Sequence, residues 1–178
     1  YSRIIAFSMG LSPEFQQMLL EAAPMHDIGK VGIPDHILLK PGKLTTEEFA
    51  IMKQHANLGF QILTGSQSAT LQMGAEIALS HHEKYDGSGY PHGLIGERIP
   101  LVARIVAVAD VFDALTSERP YKMAWELERA LEFLRDGRGQ HFDPQCIDAF
   151  MSALPEILEI RERYKEDGDT ANAYDSYR

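Results

Sequence analysis

The spacing of apolar residues in the first part of the chain predicts an amphipathic helix. This helix opens at Ser12, which suits an N-cap, with Pro13 at the first helical position. Apolar side chains then recur at intervals of three and four residues, and His26 continues their face. Pro24 predicts a kink near the end of the helix, because proline lacks the N–H that a helix interior uses.

Helical periodicity continues through most of the remaining sequence. A capping box of Thr45 and Glu48 opens a helix whose apolar stripe includes His55 and reaches about residue 62. Further helices are predicted over residues 67–82, 101–115, 124–136 and 144–164. The helix over 101–115 is apolar on almost every face, which predicts a central position. Residues 29–43 suggest an irregular Gly/Pro-rich connector, and no useful stretch alternates with period two, so we predict an all-α fold.

Composition limits the kind of protein further. With 178 residues, 44% of them hydrophobic, the chain suits one globular domain. The longest apolar stretch is interrupted by Arg104, Asp110 and Asp113, so no membrane span is predicted. The single cysteine, Cys146, allows no intrachain disulfide and fits a reducing compartment, so we expect a cytoplasmic protein. The net charge of −9 argues against binding to DNA or to nucleic acid in general.

Both ends of the chain differ in character from its middle. We expect the domain to cover residues 1–165, because residues 166–178 form a polar tail with few aliphatic side chains. At the other end, residues 1–11 have helical apolar spacing but no N-cap ahead of them. They are expected to be the remainder of a helix that starts upstream, either because this helix was truncated or because the domain belongs to a longer protein.

Histidine and aspartate side chains interrupt the apolar stripes of the predicted helices. These residues are His26, His55, His81, His82, Asp110 and Asp113. Removing such groups from water costs free energy unless a cation or a hydrogen-bond partner meets them. The pattern therefore predicts a cation or a hydrogen-bond partner on the buried side of the helices.

Taken alone, each of these residues has an ordinary explanation. A single histidine on an apolar face is more often a hydrogen-bonded core residue than a ligand, and Asp110 could pair with Arg104. The adjacent His26 and Asp27 could simply end a helix. One cluster of divalent cations bound by imidazole and carboxylate accounts for all of them together. A shared carboxylate can bridge two such ions, and ion pairs suit phosphoester hydrolysis. The remaining histidines, in loop-like positions, are predicted to be surface residues: His36, His92 and His141.

A basic and aromatic segment, LTSERPYK, follows the central helix at residues 115–122. Arg119 and Lys122 flank Pro120 and Tyr121, so that the cations could bind phosphate while the ring stacks on a base. Lys30, four residues after His26, could place another cation beside a phosphate. Taken alone, each feature is equally typical of a solvated surface.

Together these residues resemble the HD-GYP family, the subgroup of HD metal-dependent phosphohydrolases associated with cyclic di-GMP. The resemblance runs from about Leu11 to Pro144 and is carried, in order, by HDIGK, MKQH, HHEKYDGSGYP, DVFDALTSERPYK and GQHFDP. It implies a helical HD-domain bundle with an irregular GYP loop. It also implies an enzyme that hydrolyses cyclic di-GMP to pGpG, and in some members onward to GMP.

The resemblance implies a role for each candidate residue. The implied metal ligands are His26, Asp27, His55, His81, His82 and Asp110, with Asp27 as the bridge. The implied substrate contacts are Lys30, Tyr90, Asp113, Arg119 and Lys122, and catalysis is assigned to Asp27 and Lys30. Two or three divalent ions are expected, iron or manganese above all, with zinc, nickel or magnesium as alternatives in a purified sample.

Members of this family carry a further histidine ligand, and some an acidic one, on a helix that precedes the position of Tyr1. A site without these ligands should hold one metal less firmly. Such domains commonly follow a sensor or receiver module and are associated with diguanylate cyclases. Those proteins are therefore expected partners, besides cyclic di-GMP itself.

Two other functions remain open at this point. The first is a non-catalytic cyclic di-GMP sensor or scaffold, against which the six ligand positions argue. The second is an HD phosphohydrolase acting on another nucleotide, such as cyclic GMP-AMP. The GYP loop and the RPYK sequence favour cyclic di-GMP.

Overall fold

A computed structural model describes residues 1–118 and 123–172 of the chain, with side chains as far as residue 164. Over these residues the structure consists of helices and loops without a β-strand, which confirms the all-α prediction. Its α-helices are α1 Ser2–Ser8, α2 Pro13–Ala22, α3 Asp35–Leu38, α4 Thr46–Met52, α5 Gln54–Leu63, α6 Ala69–Ser80, α7 Leu101–Thr116, α8 Leu127–Asp136, α9 Pro144–Ser152 and α10 Leu154–Asn172. No helix in this part of the chain is long and apolar enough to cross a membrane.

The central position predicted for the apolar helix over 101–115 is confirmed, because α7 lies at the middle of the hydrophobic core. Phe112 on α7 is fully buried and makes edge-on contacts with the rings of Tyr1, which precedes α1, and of Phe150 on α9. Its ring centroid lies 5.3 Å from that of Tyr1 and 5.0 Å from that of Phe150. The start of the chain and α9 are thereby packed on the same central helix.

Prolines end two helices, one where the sequence predicts a kink and one where it does not. At Pro24, α2 gives way to a 3₁₀ helix, Ala23–Gly32, because proline cannot donate the hydrogen bond that would continue an α-helix. The continuous helix predicted over 144–164 is wrong. It breaks at Ala153, and Pro155 lies in the first turn of α10, where its missing N–H costs little. Helix α10 then runs to Asn172, into the predicted polar tail.

The single helix predicted over residues 45–62 is also divided. Helices α4 and α5 are separated by a single turn residue, Lys53. As a result, Ile51 is 36% exposed although it shares a predicted stripe with His55, which is buried. In addition, the short helix α3 lies within the connector that the sequence predicts to be irregular.

A buried ion pair joins the start of α7 to the start of α9. The guanidinium of Arg104 donates to the Asp143 carboxylate and, at 2.9 Å, to the carbonyl of Ile99. The same carboxylate caps α9 by accepting the N–H of Gln145 at 2.7 Å. Asp143 is only 2% exposed, so its charge depends on these partners. Arg104 therefore pairs with Asp143 and not with Asp110.

Candidate metal centre and substrate loop

The 3₁₀ helix carries the HDIGK sequence and arranges its polar side chains. In such a helix, residues three positions apart lie directly above one another. Lys30 consequently stands over Asp27, and its Nζ donates to Asp27 Oδ2 at 2.5 Å. By the same spacing, Nδ1 of His26 lies 2.9 Å from the carbonyl of Ala23. The local backbone thus fixes both members of the HD doublet.

Gly29 allows the 3₁₀ helix to lie directly against the backbone of α5. A Cβ atom at this position would lie 2.0 Å from the carbonyl oxygen of His55 and 2.4 Å from the backbone nitrogen of Gly59. Neither distance is compatible with a side chain. The absence of one brings Asp27, two residues earlier, within reach of the His55 ring.

Four of the predicted ligands form one compact group: Asp27, His55, His81 and His82. One ligand atom from each of them lies within 4.8 Å of the others. Helix α5 supplies His55, while His81 and His82 follow the last turn of α6. These residues come from three separate segments of the sequence, so the fold brings together a group whose distances are suited to a common cation.

The imidazole rings in this group are oriented by backbone carbonyls. Nδ1 of His55 lies 2.7 Å from the carbonyl of Met52, and Nδ1 of His81 lies 3.0 Å from that of Ile77. Both Nδ1 atoms therefore carry the proton, which leaves the Nε2 lone pairs free. Within the described residues, both Nε2 atoms are buried without a hydrogen-bond partner. Buried nitrogen lone pairs that converge on a carboxylate fit a divalent cation.

The two oxygens of Asp27 face different groups. Oδ1 lies 3.5 Å from His55 Nε2 and 3.9 Å from His81 Nε2. Oδ2 faces Lys30 and lies 3.4 Å from His26 Nε2. Asp27 thus stands between two sets of donors, as a bridging carboxylate does.

Asp110 adds a carboxylate on the side of Asp27 where His26 lies. It projects from the central helix α7, and its Oδ1 lies 3.6 Å from His26 Nε2. Since His26 also faces Asp27, the chain of contacts runs from α7 through the 3₁₀ helix to α5 and α6. The structure therefore brings all six predicted metal ligands into one region.

Burial and neighbouring positive charge keep two of the histidines neutral. Loss of hydration, followed by repulsion from other histidines, lowers the pKa of His81 to about 4 and that of His82 to about 2. Both rings are uncharged near pH 7. Neutral imidazole is the form that binds a metal ion.

The pKa of Asp27 moves in the direction that suits the same role. Burial taken alone would raise the pKa of this carboxyl group, but hydrogen bonds from His26 and Lys30 outweigh burial and hold the pKa well below its usual range. Burial likewise acts to lower the pKa of His26, yet contact with Asp27 outweighs it and the pKa is raised. Asp27 is therefore a permanent anion at the centre of the group.

Glu83, which the sequence analysis did not single out, closes the loop that follows the two histidines. Its side chain is 2% exposed, and it accepts the backbone N–H of His92 at 2.7 Å and that of Leu94 at 3.0 Å. Gly89 fits beneath this closure, since a Cβ there would lie 2.2 Å from the backbone nitrogen of Lys84. The available signal in the sequence was a carboxylate directly after two adjacent histidines.

Tyr90 in this loop lies against the histidine group. Its ring stacks on His82 with centroids 4.7 Å apart and an angle of 27° between the planes. Its backbone N–H donates to the carbonyl of His82 at 3.2 Å. Burial, reinforced by the negative charges of Asp27 and Asp110, raises the pKa of Tyr90, so the hydroxyl stays protonated and can donate.

The other predicted substrate contacts differ in position. Asp113 is exposed and accepts from the Ser117 hydroxyl at 3.3 Å. It lines a cavity of about 250 Å³ together with His26, Asp110 and Tyr1, so it is near the second set of donors. Arg119 and Lys122 lie outside the described residues.

The three histidines predicted to be surface residues are not alike. His36 and His92 are exposed, as expected. The prediction is wrong for His141, which is partly buried and stacks on Phe142 with centroids 4.1 Å apart. Burial, with a contribution from Lys84, lowers the pKa of His141 to about 4. Its sequence position in a loop gave no sign of this packing.

Comparison with known proteins agrees with this geometry. The profile of the HD domain family matches residues 1–146. Two solved structures share the fold. Bd1817, a HDG"Y"P protein from Bdellovibrio bacteriovorus, has a TM-score of 0.66 and 24% identity, over 86% of this chain and 49% of its own. A cyclic GMP-AMP-specific phosphodiesterase from Vibrio cholerae has a TM-score of 0.63 and 20% identity, over 86% of this chain and 42% of its own. The chain belongs to the HD domain family, in its HD-GYP group.

Its curated relatives act on cyclic dinucleotides, according to their names. The cyclic di-GMP phosphodiesterase response regulator RpfG of Xanthomonas campestris is 55% identical over 88% of this chain and 42% of its own length. A cyclic di-GMP phosphodiesterase of Thermotoga maritima is 52% identical over 94% of this chain and 46% of its own length. A 3′3′-cGAMP-specific phosphodiesterase of Vibrio cholerae is 45% identical over 90% and 31%. The chain thus spans less than half the length of each.

Proposed function

We propose that this chain is a metal-dependent phosphodiesterase that hydrolyses cyclic di-GMP to pGpG. The distances around Asp27 support this function most directly. Its Oδ1 faces His55 and His81, and its Oδ2 faces His26, so a single carboxylate stands between two sets of nitrogen donors. Paired cations held in this way are suited to phosphodiester hydrolysis.

We assign the ions of this centre to the six side chains brought together by the fold. They are His26, Asp27, His55, His81, His82 and Asp110. Mixed imidazole and carboxylate donors without thiolate fit iron or manganese, as two ions or as three. When bound, such ions activate water and neutralise the charge of a phosphate.

The chain's own side chains would orient the substrate around this centre. Lys30 contacts Asp27 in the structure, and its ammonium group would bind a phosphate oxygen of the substrate when Asp27 holds an ion. The Tyr90 hydroxyl, protonated and beside His82, is a hydrogen-bond donor for the ligand. Asp113 lines the cavity that also contains His26 and Asp110, and we assign it to contact with the substrate there. Arg119 and Lys122 are assigned to neutralising the charge of the substrate phosphates.

The proposed reaction opens the cyclic dinucleotide at one phosphate. Water attacks the phosphorus in line with the 3′-oxygen, the bond between phosphorus and that oxygen breaks, and the leaving oxygen takes up a proton. The product is linear pGpG, and a second hydrolysis would give GMP.

Two alternatives belong beside this function. Relatives at 42–45% identity are named 3′3′-cGAMP-specific phosphodiesterases, whereas those named for cyclic di-GMP alone reach 55%. Cyclic di-GMP is therefore the preferred substrate, and cyclic GMP-AMP is the second candidate. A sensor without activity is the weaker alternative. The Nε2 atoms of His55 and His81 are buried and have no hydrogen-bond partner in the described part of the chain, which favours a centre that holds a metal ion.

The proposed biological setting is cytoplasmic signalling. A buried free cysteine, Cys146, is consistent with a reducing compartment. The response regulator RpfG among the relatives supports a receiver module upstream of this domain. A diguanylate cyclase, as the source of the substrate, is the expected partner enzyme.

The test combines metal analysis with product identification. Protein purified without oxygen is analysed for iron, manganese, zinc and nickel, then incubated with cyclic di-GMP and with cyclic GMP-AMP. We expect iron or manganese in the protein and pGpG as the first product, lost after chelation and restored by adding the metal back.

Hydrolysis by fully chelated protein would overturn the metal-dependent function. Binding of cyclic di-GMP without product, in protein shown to be loaded with metal, would instead favour the sensor. A faster reaction with cyclic GMP-AMP would change the substrate and leave the reaction class intact.

A further inference from the structure

An exposed aromatic side chain on α4 lies beside the loop that carries Tyr90. Phe49 is 46% exposed, and its ring meets that of Tyr90 edge-on, with centroids 6.2 Å apart and an angle of 83° between the planes. The two rings form a corner. Lys53 lies at this corner, with Nζ 5.2 Å from the centroid of Phe49 and 5.6 Å from that of Tyr90.

The position of Phe49 is fixed, because α4 is tied at its start. Thr45 and Glu48 form a reciprocal capping box. Glu48 Oε2 also accepts a hydrogen bond from Lys40 Nζ at 2.6 Å. Phe49 directly follows this anchored residue, so its exposure is a property of a restrained helix and not of a frayed end.

Lys53 remains available for a ligand. In the part of the chain that the structure describes, no carboxylate lies within ion-pair distance of its ammonium group. The two aromatic rings are its neighbours instead, through cation–π contacts. A ligand with hydrogen-bond acceptors could replace these contacts without breaking an ion pair.

The corner is connected with the candidate metal centre through a single ring. Tyr90 contacts Phe49 on α4 and stacks on His82, one of the proposed ligands, at 4.7 Å. A phosphate at the metal centre would therefore have its own nucleoside close to the corner. A flat base next to Tyr90 would reach Phe49 as well.

We propose that Phe49, Tyr90 and Lys53 form a purine subsite that binds one guanine base of the substrate. This subsite depends on the proposed function, because it assigns a base-recognition site to the same cyclic dinucleotide. Phe49 supplies a stacking surface, since aromatic side chains bind bases through their faces. Lys53 donates to guanine O6 and N7, both of which are acceptors.

The chemistry of the lysine makes the subsite selective. Adenine carries an amino donor where guanine carries O6, so an ammonium group meets one acceptor fewer and a donor that it cannot bond. The corner therefore favours guanine over adenine at this position. Lys53 is a specificity-determining residue in this assignment, and Phe49 is an affinity-determining one.

The experiment compares Phe49→Ala, Phe49→Tyr and Lys53→Met in metal-loaded protein. KM and kcat are measured for cyclic di-GMP and cyclic di-AMP, and equilibrium affinity is measured with a phosphorothioate analogue of cyclic di-GMP that resists hydrolysis. Phe49→Ala should weaken affinity and raise KM by about tenfold, with kcat changed much less, because stacking on a base is lost. Phe49→Tyr keeps the ring and should stay within about twofold of the original protein.

For Lys53→Met the expected change is in selectivity. The preference for cyclic di-GMP over cyclic di-AMP, taken as the ratio of kcat/KM values, should fall by about tenfold. Matched controls are Phe7→Ala, which removes an exposed phenylalanine from α1, and Lys43→Met, which removes an exposed lysine from the loop before α4. Both should leave KM and selectivity unchanged.

The outcomes separate this subsite from the function itself. If the unmodified, metal-loaded protein does not hydrolyse cyclic di-GMP, the proposed function fails. If it does, and Phe49→Ala has the same KM and affinity as Phe7→Ala, the subsite is wrong. Unchanged selectivity in Lys53→Met would likewise show that the lysine does not recognise the base. The contact between Lys53 and Phe49 would then only stabilise α4.

Discussion

At the scale of single residues, the candidate site depends most on Asp27. This carboxylate contacts His26 and Lys30 through one oxygen and faces His55 and His81 through the other. No other side chain in the described structure is shown to stand between both sets of donors. Changing its charge should therefore affect both halves of the centre.

We expect Asp27→Asn to lower bound metal by at least half and hydrolysis of cyclic di-GMP by more than about 100-fold, because the amide cannot bridge two cations. Elemental analysis of the purified variant and product quantification check this. Asp148→Asn, at an exposed carboxylate on α9, is the control and should keep full activity. Metal content equal to that of the original protein would show that Asp27 is not a ligand.

Glu83 acts at the same scale but on the loop. Its carboxylate accepts two backbone N–H groups in a nearly water-free position. Glu83→Gln leaves one acceptor oxygen and turns an amide donor toward the other N–H. The free energy of unfolding should fall by about 1–3 kcal/mol.

Urea denaturation of the Glu83→Gln variant measures this loss. Glu76→Gln, at an exposed position on α6, provides the matched comparison and should leave the midpoint unchanged. Equal midpoints for the two variants would mean that the loop does not depend on Glu83.

Single residues also differ in how far the sequence revealed them. Five of the six candidate ligands stood out because they place a polar group on an apolar helical stripe, which is visible without a structure, whereas Asp27 was implied by the family resemblance. Phe49, Lys53 and Glu83 did not stand out. Phe49 and Lys53 lie four residues apart, but both also contact Tyr90, and Glu83 contacts Leu94. No sequence period places Tyr90 beside α4 or Leu94 beside Glu83.

At the scale of elements, the 3₁₀ helix Ala23–Gly32 determines how closely the ligand-bearing segments approach. Its backbone touches that of α5 at Gly29, where a Cβ would lie 2.0 Å from a carbonyl oxygen. Backbone cannot move aside as a flexible side chain can. The distance between the 3₁₀ helix and α5 is therefore set by the absence of a side chain at Gly29.

Gly29→Ala should destabilise the protein by about 3 kcal/mol, at the upper end of overpacking costs, and should weaken metal binding by separating Asp27 from His55. Gly32→Ala, on the same helix, is the control, because its Cβ meets only the end of the Leu58 side chain. Thermal unfolding with and without added Mn²⁺ measures both effects. Similar unfolding temperatures for the two variants would contradict the role of the Gly29 contact.

The element boundaries show where sequence reasoning succeeds. Pro24 marks a real end, since an imino nitrogen cannot continue an α-helix. The break at Ala153 was missed although Pro155 signals it, because proline is also tolerated in a first turn. The break at Lys53 has no proline or glycine beside it, so no residue in the sequence marks the boundary between α4 and α5.

At the scale of the whole molecule, α9 packs into the hydrophobic core, and it also carries a buried ion pair at its start and a second pair at its surface. Arg104 and Asp143 form the buried pair, and Asp143 is 2% exposed. Arg138 and Asp148 form the surface pair, at 2.8 Å. The same chemistry thus occurs in two environments on one helix.

Asp143→Ala should lower the free energy of unfolding by about 3–5 kcal/mol, because it leaves the Arg104 guanidinium without its counterion in a largely buried position. Asp148→Ala should leave the urea midpoint unchanged, since water solvates both partners there. Denaturant titrations of the two variants give a direct comparison. Equal shifts would mean that burial does not govern these pairs.

The closure made by Glu83 also determines where the chain can change in length. One carboxylate reaches both His92 and Leu94, so the number of residues between Glu83 and Leu94 is fixed by the span of a single side chain. An insertion there would separate the two N–H groups from their common acceptor. Residues 41–43 are different, because Gly42 has open space around it. A peptide tag or a reporter can be inserted at that point without disturbing the loop that carries Tyr90.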